Sequence, residues 1–154
     1  MIAPTKPYMI GAIDPGPERS AFVSLADGEL VDFGILENVD LLLRARRSVG
    51  YDLVVIEKIV SYGMPVGAEV FETVYWSGRF AEAFRPTAVE RIGRKPVVLT
   101  ICGSPRATDA NVRQALIDRY GGPGVTRKGG PLYGVVKDIW SALAIGVAWR
   151  EGAR

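Results

Sequence analysis

The chain has 154 residues, 48% of them hydrophobic, and a formal net charge of +2, enough apolar content to bury one sizeable core in one domain. It contains no histidine and one cysteine, Cys102, which excludes Ser/His and Cys/His catalytic pairs, internal disulfides and Cys/His zinc sites, and leaves oxygen as the donor for any metal. Fourteen of its nineteen basic residues are arginine, whose planar fork suits phosphate; this fits nucleic acid and, equally, the arginine-rich surface of a protein from a GC-rich genome.

Residues 8–14, closing on "IGAID", read as a strand, and 20–26 and 29–36 as two more, joined by the hairpin turn Asp27-Gly28. A short helix over 38–48 follows, with Val39, Leu42, Leu43 and Ala45 among polar neighbours, Asn38 as its cap and an end near Gly50. The next strand is 53–57, "LVVIE". From 68 to 84, Val70, Phe71, Val74, Tyr75, Ala81 and Phe84 recur near helical spacing, in an unusually aromatic helix. A strand at 96–101, "PVVLTI", precedes a helix from Thr108 or Asp109 to Tyr120, with Asp109 read as a cap. A Gly/Pro-rich loop at 121–134 then leads to a last helix over about 137–150. A meander followed by alternating helices and strands predicts an α/β domain with a mixed sheet, spanning 1–154. A right-handed crossover would lay 53–57 parallel to the first strand, placing Asp14 and Glu57 on one sheet edge, where open α/β sheets bind ligands. Without a signal peptide or an 18-residue apolar span, the expected location is cytoplasmic, with no membrane partner.

Three of the seventeen acidic residues stand against apolar sequence. Asp14 follows "IGAI", Glu57 follows "LVVI", and Asp138 opens "IWSALAIGVAW", which is apolar almost all round. A carboxylate at the margin of a core is costly unless it is paired, hydrogen-bonded or metal-bound. Each has an ordinary explanation: Asp14 accepting backbone hydrogen bonds in the Pro15-Gly16-Pro17 turn, Glu57 ion-paired with an arginine, Asp138 capping its helix. Taken together, with no histidine or thiol to share the work, they predict an oxygen-ligand metal site.

In chain order, "IGAIDPG", "LVVIEKIVSYGMPVG", "FETVYWSGRF", "DANVRQALIDRYG" and "GGPLYGVVKDIWSALAIGVAW" resemble the RuvC-like Holliday junction resolvases of bacteriophages, over nearly the whole chain. The "IDPG" and "IE" pieces occur in many RNase H-like proteins, whereas "SYGMPVG" and "GPLYGV" followed by "WSALA" are far more specific. The resemblance implies an RNase H-like fold, a five-stranded mixed sheet flanked by α-helices. It also implies a metal-dependent endonuclease that cuts four-way DNA junctions by paired nicks as a homodimer. Asp14, Glu57 and Asp138 match the family's acidic positions and would hold two magnesium ions, replaceable by manganese. Asp14 would bridge the ions, and Glu57 and Asp138 would serve the leaving-group and nucleophile sides, labels that are interchangeable. Lys58 and Lys137 flank two of the ligands and would either neutralise phosphates or form surface ion pairs.

One departure stands out. Cellular members carry a second aspartate one turn into the last helix, and here that position is Ser141. Ser141 lies on the face of Asp138 and would hold only a metal-bound water. Either another carboxylate substitutes, or one metal binds weakly until substrate phosphate completes its shell. For the dimer contact the 68–84 helix offers Phe71, Tyr75, Trp76 and Phe80, with Ser77, Gly78 and Ala81 allowing close approach. The bases expected to grip DNA are Arg79 and Arg85 on that helix and Arg91, Arg94, Lys95, Arg127 and Lys128 in loops. Two other readings stay open: a nuclease for flaps, branches or RNA, and a junction-binding protein that has lost catalysis.

Overall fold

The computed structural model describes residues 2–48 and 50–154. Its elements are β1 (Met9–Asp14), β2 (Arg19–Ala26), β3 (Glu29–Glu37), α1 (Asn38–Arg47), β4 (Leu53–Lys58), α2 (Ala68–Ala83), β5 (Val89–Gly93), α3 (Arg94–Cys102), α4 (Asp109–Arg119) and α5 (Ile139–Arg150). The five strands form one mixed sheet in the order β3-β2-β1-β4-β5. The first three make the expected antiparallel meander, and β4 and β5 run parallel to β1. At the β2–β3 turn Asp27 and Gly28 both have positive φ, 48° and 88°, the conformation that matches the twist of a two-residue hairpin.

Alternation along the strands divides the core between the two faces of the sheet. Ile10, Ala12, Leu53 and Val55 face α3, α4 and α5, while Ile13, Val54 and Ile56 face α1 and α2. By the same period, Asp14 and Glu57 belong with the first set and project toward α5. That helix lies across β1 and β2 with α3 and α4 beside it, and all residues from Ala142 to Ala148 are buried, which explains its apolar circumference. Its approach is close at Gly146, where an added Cβ would stand 2.9 Å from Leu25 Cδ1 and 3.3 Å from Ala12 Cβ. Among the described residues no helix is long and apolar enough to cross a membrane.

The structure corrects the fifth strand. The segment "PVVLTI" lies in helix α3, and the edge strand is "VERIG", β5. β-Branched residues favour strands, but Val97, Val98 and Ile101 share a helical face that is buried against the α5 side of the core. Pro96 sits in the first turn of α3, where its missing N–H costs nothing. Gly103 ends the helix in the left-handed conformation, φ 76°. In β5 only Ile92 is buried, so an edge position replaced the apolar pattern that would have revealed the strand. Arg91 therefore lies on β5, and Arg94 and Lys95 on α3, none of them in a loop.

Other corrections concern single residues. Asn38 does not cap α1; Glu37 holds the cap position without a side-chain bond, and Asn38 is buried beneath the turn after β1. Asp109 does not cap α4, because Thr108 does so in a reciprocal pair with Asn111. Arg85 lies just past the end of α2. Phe80 is 0% exposed within the α1/α2 core, so Phe80→Ala is expected to cost about 3–5 kcal/mol of stability, measurable by urea denaturation.

Candidate active site

The register of the parallel strands brings the candidate acids together. Ile13 of β1 pairs with Ile56 of β4, so the next residues, Asp14 and Glu57, end neighbouring strands at the same sheet edge. On the other side of β4, Glu57 pairs with Ile92 and Lys58 with Gly93, after which Arg94 opens α3. Thus three parallel strands discharge two carboxylates and a guanidinium at their carboxyl ends.

None of the ordinary explanations for the three acids is realised. In the turn after β1, the Gly16 N–H donates to Ser20 Oγ at 3.0 Å, Ser20 Oγ donates to Asn38 Oδ1 at 2.6 Å, and Asn38 Nδ2 donates to the Gly16 carbonyl at 2.9 Å. Ser20 and Asn38 brace this turn, and Asp14 takes no part. Among the described residues Glu57 forms no ion pair. Asp138 precedes α5 without a side-chain cap bond and is exposed. Lys137 before it adopts φ 51°, a left-handed conformation costing a residue with a Cβ about 1–2 kcal/mol.

Electrostatics ties the acids to one another. Burial first, then the charge of Glu57 and a hydrogen bond with it, then the charge of Asp138, push the Asp14 carboxyl from 3.8 up to about 9; Arg94 pulls it the other way. Glu57 and Asp138 thus both act on Asp14, Glu57 the more strongly. Among the described residues no three acidic or thiol side chains converge tightly enough to cage an ion as they stand. Asp14 and Glu57 lie side by side at the ends of adjacent strands, and Asp138 acts on Asp14 from the start of α5. The donor chemistry fits a hard divalent cation, since the acids offer only carboxylate oxygens.

A cleft of about 430 Å³ opens beside the pair, between α5 and the first turns of α3 and α4, with Glu57, Arg94, Asp109, Lys137, Asp138 and Ser141 among its lining. Arg113 and Trp140 also line it, the guanidinium carbon 5.0 Å from the ring centre.

No family model and no curated protein matches this sequence. Among solved structures, RuvC of Thermus thermophilus is similar with a TM-score of 0.68 at 17% identity, over 95% of each chain. T. thermophilus RuvC in complex with a Holliday junction substrate gives 0.67 at 15% identity, over 96% of this chain and 95% of that one. This chain has the RuvC fold.

On the RuvC fold the remaining sequence candidates separate. Ser141 lines the cleft, half-buried, one turn after Asp138, and Lys137 lines it from an exposed position. Lys58 is exposed at the end of β4 and does not line it. Arg94 lines the cleft in an ion pair with Asp109, whereas Lys95 sits 4.2 Å over the Tyr62 ring. Arg79 lies against its own helix, 4.5 Å over Trp76 and 5.5 Å over Tyr75. Arg85 pairs with Glu82 at 3.8 Å. Arg91, Arg127 and Lys128 are exposed away from the cleft.

Sequence reasoning missed Arg113, which shares a helical face with Asp109 four residues earlier; that spacing was the available signal. It also made nothing of Tyr62 and Met64 as side chains, exposed apolar groups in the loop after Glu57, because "SYGMPVG" served only as a family motif.

Proposed function

We propose that this chain is a divalent-metal-dependent nuclease for branched DNA, a Holliday junction resolvase of the bacteriophage RuvC type, working as one domain over residues 1–154 and as a homodimer. The observation that carries the proposal is the Asp14–Glu57 pair at the carboxyl ends of adjacent parallel strands, with Asp138 acting on Asp14 and lining the same cleft as Glu57. The pair and Asp138 would hold magnesium or manganese, as two ions in the fullest arrangement. Bound there, the metal supplies an activated water and counter-charge for the leaving oxygen. Asp14, on which both Glu57 and Asp138 act, would be the ligand common to the site, and the other two would serve the two sides of the scissile bond. Lys137 and Arg94 balance phosphate charge, and Ser141 positions water on the Asp138 side.

Cutting a two-fold symmetric junction in paired strands calls for two sites related by a two-fold axis. The exposed face of α2 supplies a surface for that dimer. Phe71 and Tyr75 are 65% and 58% exposed, Val74 lies between them in the stripe, and Gly78 has open space around it. Phe71→Asp is therefore expected to yield folded monomers by analytical ultracentrifugation, with cleavage lost and circular dichroism unchanged. Phe80, buried in the core, is not part of that contact.

The lack of a three-acid cluster among the described residues and the serine at 141 favour one second reading, a junction-binding protein that does not cut. Incubating the protein with labelled four-way, flap and linear DNA, with and without magnesium or manganese, tests both. Paired nicks in the four-way substrate only with metal support the resolvase; binding without nicks supports the second reading; preferred cutting of flaps moves the substrate class.

A further inference from the structure

We infer that Asp109 holds, in the free protein, the place at Arg94 that a DNA phosphate takes in the complex, so that the two residues form a displaceable anion site at the cleft mouth. This deepens the proposed function and rests on its DNA substrate. Arg94 directly follows Gly93, which pairs with Lys58 beside the active-site edge, and its charge reaches Asp14. It is thus a cation that lines the cleft and whose charge acts on Asp14. Asp109 is not needed for the cap of α4, because Thr108 and Asn111 already form it.

The pair joins the first turns of α3 and α4, and both residues line the cleft. It is also wet, with the side chains 47% exposed at Arg94 and 88% at Asp109. An ion pair in that setting adds little to folding and is easily exchanged. A phosphate offers the guanidinium the same forked pair of oxygens as the carboxylate, on a polyanion that brings further contacts. A carboxylate already lodged there would also repel DNA that arrives without the geometry to replace it.

The test is equilibrium binding of the full chain to a labelled four-way junction, in chelator so that nothing is cut, over a series of salt concentrations. Arg94→Gln is expected to weaken binding about tenfold and to lower the slope of log affinity against log salt by about 0.9, one phosphate contact. Asp109→Asn should tighten binding about threefold. The double variant should behave as Arg94→Gln alone, and Arg94→Lys should keep the slope. Both single variants break the same ion pair, so a merely structural strut would move the two affinities in the same direction by similar amounts; that result, or an unchanged slope in Arg94→Gln, overturns the inference. If the wild type binds or cuts the junction while the variants move together, this inference alone fails. A wild type that does not bind the junction removes the DNA reading and the inference with it.

Discussion

Asp14→Asn is expected to lower junction cleavage by on the order of a thousandfold, while junction binding survives or tightens. The side chain keeps its size and loses its charge at the point where Glu57 and Asp138 both act on it. Losing one shared metal ligand removes several kcal/mol of transition-state stabilisation, at a factor of ten for each 1.36 kcal/mol. The metal-free variant should melt at a higher temperature than the wild type at neutral pH, because folding the wild type requires Asp14 to take up a proton that the unfolded chain has released, a cost that asparagine does not carry. Gel cleavage assays and thermal melts of one preparation read both effects. Full cleavage by the variant would remove Asp14 from the catalytic set.

The metal-free wild type should lose stability relative to Asp14→Asn as pH rises from about 4 to about 9. The sign follows from linkage. Asp14 keeps its proton up to about 9 in the folded protein and has a reference value of 3.8. Between those values the folded state binds the extra proton, so raising the pH favours unfolding. The stabilising contribution is complete below pH 4 and is gone once the pH passes the folded value. The limiting slope for one proton is about 1.4 kcal/mol per pH unit. Taking the difference between wild type and variant removes the titrations common to both. Magnesium or manganese should flatten the wild-type slope, since a cation displaces the proton, and should leave the variant's profile nearly unchanged. A difference that stays flat without metal would show that Asp14 is ionised and solvated across this range, and that the acids do not form a coupled site.

Some of this architecture was legible along the chain because it depends on local period. The meander announces itself through Asp27-Gly28 and two-residue alternation. The strict strand period also places Asp14 with Ile10 and Ala12, and Glu57 with Leu53 and Val55, so that both acids share a face once the strands are parallel. The all-round apolar character of α5 foretold its burial. The family motifs pointed to the RuvC fold, which the similarity to T. thermophilus RuvC bears out.

Other features depended on neighbours distant in sequence. "PVVLTI" has the residues of a strand, but its place between β5 and the apolar α5 made a helix with one buried face the arrangement that hides Val97, Val98 and Ile101. The true edge strand, "VERIG", is polar because one flank of it meets solvent. The bracing of the first turn by Asn38, the burial of Phe80 and the pairing of Arg94 with Asp109 all join residues that sequence spacing does not relate. By itself the sequence determined which residues carry charge at the ends of apolar strands, since period and composition are local. Only the tertiary structure decided which of those charges meet, because the pKa of Asp14 and the partner of Arg94 depend on burial and Coulomb interaction through space, and both are set by how the helices close over the sheet.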